Sequence, residues 1–164
     1  MARVFIGLGS NEGERLDHVS RAVRRLARTE GIRVVQMAPV YATEPVEGPP
    51  QPDFLNSVVE IETAIPPSEL LRLLKAMERE LGRQPSTERW GPRVIDLDIL
   101  VYDNRVIAEP DLTIPHAHMH ARRFVLEPLA QLDPALRHPV LGRTVSELLA
   151  DLAGKQAVEP HRCA

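Results

Sequence analysis

The chain has a single cysteine, Cys163, in 164 residues. That excludes an internal disulfide, leaves no thiol set for a metal, and makes a reducing cytoplasm the expected setting. Lysine is almost missing, with only Lys75 and Lys155, so the basic residues are otherwise all arginine. Acidic side chains outnumber basic ones 23 to 20, a formal charge of -3 that argues against general attraction to nucleic acid or anionic membrane. Any anion site must therefore be local. Aromatics make up 4% of the chain, too few to line an RNA-binding sheet. No apolar run approaches the roughly 18 residues of a membrane span, and MARVFIGLGSN lacks the basic-then-apolar form of a leader. There is no G-x-x-x-x-G-K-[ST], Gly7 and Gly9 do not extend to G-x-G-x-x-G, and the chain is too short for a protein kinase and lacks an H-R-D loop. The exclusions leave one soluble domain over residues 1–164, expected to be a monomer, with enough hydrophobic content, 43%, for a core.

What is present begins with Arg3 to Leu8, which reads as a short buried strand, with Gly9, Ser10, Asn11 and Gly13 forming the turn after it. Leu16, Val19, Val23 and Leu26 recur at helical spacing, and Gly31 is placed to end that helix. Ile32 to Tyr41 and Phe54 to Thr63 are rich in β-branched and apolar residues and read as strands. Between them the Pro- and Gly-rich TEPVEGPPQPD excludes helix and central strand, which leaves a long surface loop. Pro66, Pro67 and Ser68 open a helix with Leu70, Leu71, Leu74, Met77 and Leu81 on one face, closed by Gly82. Val94 to Tyr102 is a further strand. This order predicts an α+β, ferredoxin-like antiparallel sheet (βαββαβ core) with helices on one face. A C-terminal extension follows from Asp103, with the apolar run FVLEPLAQL and a helix from Thr144 to Leu152.

In VIDLDILVY the side chains alternate, so Asp96 and Asp98 share one face and Ile95, Leu97, Ile99 and Val101 the other. The two α-carbons should lie about 6.5 to 7 Å apart, and like charges at that spacing favour a bound cation. Hard oxygen ligands on a strand suit Mg²⁺ held together with phosphates. A solvated sheet face reads the same way from D-x-D alone, and the surroundings tip the balance. Arg83, Arg89 and Arg93, with Trp90 and Gly91, lie just upstream, and guanidinium forks match phosphate oxygens. Taken singly, each arginine is equally well a surface partner of an acid, and Trp90 a core anchor. The PHAHMH run places His116, His118 and His120 at alternate positions that suit zinc or nickel on a strand, but Pro115 and Met119 favour a loop.

Taken in order, FIGLGSN, YATEPV, QPDFLNSVVEIET, LGR, ERWGPRVIDLDILVY, LTIPH and RRFVLEPL resemble the hydroxymethyl-dihydropterin pyrophosphokinase family of folate biosynthesis, from about Phe5 to Pro134. The resemblance implies a ferredoxin-like core, ATP as co-substrate, a reduced pterin as acceptor and two Mg²⁺ ions. It implies that Asp96 and Asp98 ligate the metal, and that Arg83, Arg93, His116 and Arg122 hold the transferring phosphates. It implies further that Phe54 and Phe124 sandwich the pterin, with Asn56 reading its edge and Thr43 and Val46 giving backbone contacts. Lys75, Glu78, Trp90, Ile99 and Thr113 fall at nucleotide-side positions. Stacking and amide recognition suit a flat heteroaromatic with an amide-like edge. Pro85 and Ser86 stand where relatives commonly carry basic residues, and Ala117 follows the histidine of IPH where Pro or Tyr is frequent. Two other readings stay open, a non-catalytic ferredoxin-like module that binds nucleotide or RNA and a Mg²⁺-dependent phosphohydrolase.

Overall fold

Ala2, Val4, Ile6 and Leu8 alternate along β1 (Ala2–Ser10) and point into one core, while Phe5 points into another and is equally buried. A strand apolar on both sides belongs at the centre of a sheet covered on both faces. The computed structural model, which describes residues 1–43, 53–82, 94–155 and 158–160, places β1 there. It pairs antiparallel with β4 (Phe54–Thr63), from Ala2↔Thr63 to Ser10↔Leu55, and on its other edge with β5 (Asp96–Tyr102). The strand order is β5-β1-β4-β3-β8, where β3 is Tyr41–Thr43 and β8 is Val158–Pro160, and β2 (Ile32–Met37) pairs with the far half of β4. With β2 and β3 taken as one interrupted strand, this is the order of a ferredoxin-like βαββαβ core.

Two helices cover the first face. Val19, Ala22 and Leu26 of α1 (Arg15–Ala27) and Leu70, Leu74 and Met77 of α2 (Pro67–Glu80) are buried at three- and four-residue spacing. Gly31 and Gly82 follow the two helices at φ 88° and 105°, a left-handed region in which a Cβ is strained.

The two core helices lie on one face as expected, and the C-terminal extension adds a layer the sequence did not place. The second face is covered by α3 (Arg123–Leu132) and α4 (Val145–Asp151), which bury Phe5, Val58, Leu100 and Val101 together with Leu126, Leu129 and Leu148. The physical reason is the apolar content of both sides of β1 and β4, since each large side chain left in water would forgo about 1.5 to 3 kcal/mol. The Thr144 hydroxyl caps α4 by accepting from the Glu147 N–H at 3.1 Å, while the Glu147 carboxylate accepts from the Thr144 N–H at 2.9 Å.

Three further differences from the sequence reading are local. The strand expected from Ile32 to Tyr41 breaks between Met37 and Tyr41, where Pro39 cannot donate to a ladder. A register shift between β1 and β5 leaves Leu100 as an extra residue, so Val101 joins Leu100 in the second core rather than Leu97 and Ile99 in the first. Gly9 and Ser10 belong to β1 itself and not to the turn after it. A short hairpin, β6 (Ile107–Glu109) with β7 (Leu112–Ile114), and a 3₁₀ turn at Met119–Ala121 connect β5 to α3.

Candidate active site

The site is built on the sheet face that carries α3. Strand alternation places Gly7 and Gly9 on this face, opposite Asp98 and Asp96 of β5 on one side and opposite Val58 and Asn56 of β4 on the other. β1 therefore contributes no side chain between the two aspartates and the amide. A side chain at Gly9 would have to displace Asn56, because a Cβ there would stand 2.9 Å from Asn56 Oδ1. The row continues outward, with Asn56 paired to Tyr41 and Phe54 to Thr43. Asp96, Asp98, Asn56, Phe54 and Thr43 thus share one face along a glycine floor, over which Leu100 packs at Gly7 and Asn56 at Gly9.

Two groups on this face are buried without a hydrogen bond among the described residues. They are Asn56 Nδ2, on a residue 7% exposed, and Thr43 Oγ1, on a residue 4% exposed. An unpaired buried donor costs about 1 to 3 kcal/mol, so these two atoms are candidates for hydrogen bonds to a ligand.

Above the aspartates, the His116 N–H donates to the Leu100 carbonyl at 2.9 Å, which ties the segment after β7 to β5. His116 Nδ1 accepts from the His118 N–H at 3.2 Å, so the imidazole proton lies on Nε2. Burial pushes this imidazole below its usual pKa, nearby Asp98 pulls it up, and Arg122, His118 and Lys75 push it down again. The net direction is down, which leaves His116 a neutral donor at neutral pH. The same neighbours show that Lys75, Asp98, His116 and Arg122 converge at this end of the sheet. The Arg122 guanidinium stands 5.6 Å from the ring centroid of Phe124, at the start of α3.

Glu78, expected at a nucleotide-side position, is held inside the fold. Its carboxylate is buried at 2% exposure and accepts from the Leu97 N–H at 2.7 Å, with Lys75 Nζ at 3.4 Å. Leu97 lies between the two aspartates, so Glu78 acts on the site by holding the strand that carries them. The Ile99 side chain is 4% exposed in the first core, which leaves its backbone to meet a ligand, and Thr113 is exposed midway along β7. Arg83, Arg93, Trp90 and Val46 lie outside the described residues. Sequence reasoning missed the floor. Its signal was Gly-x-Gly within an apolar strand, which strips one face of side chains.

His116 and His118 meet edge to face at 6.0 Å between ring centroids, in a turn rather than on a strand. No cluster of three or more potential metal ligands occurs among the described residues. Two half-buried carboxylates remain a fit for Mg²⁺, which commonly takes one or two protein carboxylates and completes its shell with water and phosphate oxygens.

Sheet order and site together define an α+β protein of the ferredoxin-like class with a carboxylate- and amide-lined face. Residues 5–134 match the sequence model of 7,8-dihydro-6-hydroxymethylpterin-pyrophosphokinase (HPPK). The 2-amino-4-hydroxy-6-hydroxymethyldihydropteridine pyrophosphokinase of Pseudomonas aeruginosa is 43% identical over 148 residues, 90% of either chain. The protein of the same name from Methylorubrum extorquens is 42% identical over 97% of this chain and 100% of its own. The folic acid synthesis protein fol1 of Schizosaccharomyces pombe is 42% identical over 90% of this chain, which spans only 20% of the yeast protein. Among solved structures, wild-type HPPK-DHPS of Plasmodium falciparum with pterin and p-hydroxybenzoate superimposes with a TM-score of 0.73 at 16% identity, over 92% of this chain and 41% of that one. That likeness shows the fold. The chain belongs to the HPPK family.

Proposed function

We propose that the chain is an ATP-dependent pyrophosphokinase of folate biosynthesis that transfers the β,γ-diphosphate of ATP to the hydroxymethyl oxygen of 6-hydroxymethyl-7,8-dihydropterin and releases AMP. The observation that carries this reading is the pairing of unsatisfied Asn56 Nδ2 and Thr43 Oγ1 with Asp96 and Asp98 across a glycine floor. One side suits a flat, amide-edged heterocycle and the other a metal–phosphate group. Phe54 and Phe124 supply aromatic faces for stacking.

Asp96 and Asp98 would hold Mg²⁺, in two ions by the family pattern. When bound, the metal neutralises charge on the phosphates and on the leaving AMP oxygen. Arg122 and the neutral His116, donating from Nε2, face the same phosphates, with Arg83 and Arg93 assigned there from the family pattern. Glu78 fixes the pitch of the aspartate strand through the Leu97 N–H. The hydroxymethyl oxygen attacks the β-phosphorus, the bond from the β-phosphorus to the AMP oxygen breaks, and the proton leaves to a phosphate oxygen or water.

No described helix is long and apolar enough to cross a membrane. A monomer working in the cytoplasm on two small molecules, with residues 1–164 as one catalytic unit, completes the proposal. The test is the nucleotide product, measured with and without the pterin. Pterin-dependent AMP release supports the transfer. ADP or phosphate released without pterin identifies a phosphohydrolase, and ATP binding without turnover identifies a binding module.

A further inference from the structure

β3 is only three residues long and carries Thr43, the last described residue before the surface loop expected from the sequence. Paired with β4 alone, so short a strand would be a weak edge. It is not an edge, because β8 pairs along its outer side, with Thr43↔Val158, Ala42↔Glu159 and Tyr41↔Pro160. Cross-strand partners share a face, so Val158 extends the row Phe54–Thr43 outward by one position. β8 is itself anchored. Arg123 NH1 donates to the carbonyl of Lys155 at 3.2 Å, just before β8, while Arg123 Nε donates to Glu127 at 3.0 Å within α3. Arg123 stands between Arg122 and Phe124, both assigned to the site. At the other end of β3, on the same face as Thr43, the Tyr41 hydroxyl meets Gln131 of the same helix. The region after residue 134, β8 included, lies beyond the part of the chain that matches the family.

We propose that β8 is a positioning element for the pterin side of the site, holding β3 from outside and locked by Arg123 to the turn of α3 that bears Arg122 and Phe124. The inference rests on the pyrophosphokinase reading and concerns one substrate only. The aspartate and His116 end touches neither β3 nor β8 in the strand order, so the strap bears on ATP only through the turn that carries Arg122 and acts mainly on the pterin side.

Steady-state kinetics of full-length Arg123→Ala and Val158→Gly, with amide exchange at Ala42 and Thr43, test it. The expected result is a pterin KM raised about five- to tenfold, with much smaller changes in kcat and the ATP KM. Exchange at Ala42 and Thr43 rises while the β1–β4 ladder stays protected. Arg123→Lys, which keeps a donor for the Lys155 carbonyl, recovers most of the pterin KM. Wild-type pterin KM in both variants overturns the proposal, as does an equal rise of both KM values with loss of β1–β4 protection. Should Arg123→Ala fail to fold, Val158→Gly gives the same decision alone. If the wild-type chain releases no AMP in response to pterin, the pyrophosphokinase reading itself has failed, a result distinct from variants that behave like an active wild type.

Discussion

The two ends of the α3-facing side of the sheet are built on the same two central strands, β1 and β4, yet they treat polar groups in opposite ways. At the end where α3 finishes, Arg3 donates to Glu60 through Nε at 3.2 Å and to Asp133 at 2.9 Å, and Gln36 donates to the other Glu60 oxygen at 2.8 Å. The Arg3 guanidinium also lies 4.7 Å from the Phe5 ring centroid. At the end where α3 starts, Asn56 and Thr43 bury polar atoms with no partner among the described residues, and two aspartates share a face with no side chain from β1 between them. One end closes its charges on each other and stabilises the fold. The other keeps two buried polar atoms, Asn56 Nδ2 and Thr43 Oγ1, without a partner among the described residues, and the closed end helps to offset that cost.

The largest effect should follow from Asp98→Ala. Turnover should fall by about a thousandfold or more, as expected for loss of a metal ligand, while unfolding by urea should be unchanged or slightly harder because like-charge repulsion with Asp96 is relieved. A variant that kept more than about a tenth of wild-type turnover at saturating Mg²⁺ would remove the metal from this end of the sheet.

Arg93→Ala extends the comparison to a residue assigned from sequence alone. The chemical step should slow by about a hundredfold or more with a much smaller loss of ATP affinity, and Arg93→Lys should rescue poorly because a point charge cannot replace a two-pronged contact. Single-turnover kinetics decide the matter. A defect confined to ATP affinity would reduce Arg93 to a docking residue.

Glu78→Ala should affect both properties at once, because it strips the Leu97 N–H of its acceptor. The expected cost is about 1 to 3 kcal/mol of stability, with kcat falling as the aspartate strand loses its pitch. Glu78→Gln retains an acceptor and should keep most of the stability. Equal and severe losses in both variants would point to the charge beside Lys75 instead.

At the closed end, Arg3→Ala should cost about 1 to 2 kcal/mol and leave turnover per folded molecule untouched. The partial exposure of Arg3, 43% of its side chain, keeps that cost below the breaking of a fully buried pair. The pH dependence has a definite sign. Burial pushes the Glu60 carboxyl up, but hydrogen bonds from Arg3 and Gln36 and the Arg3 charge outweigh it, leaving the folded pKa below the ordinary value. Its stabilisation is thus fully present above the ordinary carboxylate range and is lost as pH falls through the lowered folded value. Urea melts on the acid side should show a shallower pH dependence in Glu60→Gln than in wild type. Parallel slopes would contradict the role given to this pair.

Much of this was legible in the sequence, for identifiable reasons. Periodicity gave α1 and α2, alternation put Asp96 and Asp98 on one face, and Thr144 opened α4 because its cap is a local signal. The second helical layer was not legible, because Pro128 inside α3 masks a helical pattern and nothing local says which sheet face an extension will cover. Strands of three residues such as β3 and β8 carry no period of their own, and β8 exists only through pairing with β3 more than a hundred positions away. The site residues came from their chemistry and from a family resemblance. The Gly9–Asn56 approach, the Glu78 clasp on Leu97 and the bulge at Leu100 required coordinates, since each depends on the register between strands or helices far apart in the chain.

The most direct test of the open-end account is Asn56→Ala, measured for pterin affinity by calorimetry and for unfolding free energy by urea titration on the same preparation. If the buried amide is kept for the substrate, pterin binding should weaken about tenfold to a hundredfold while stability holds or rises, because an unsatisfied donor has been removed. A drop in stability with pterin affinity unchanged would show that Asn56 belongs to the structure of the sheet and not to its ligand.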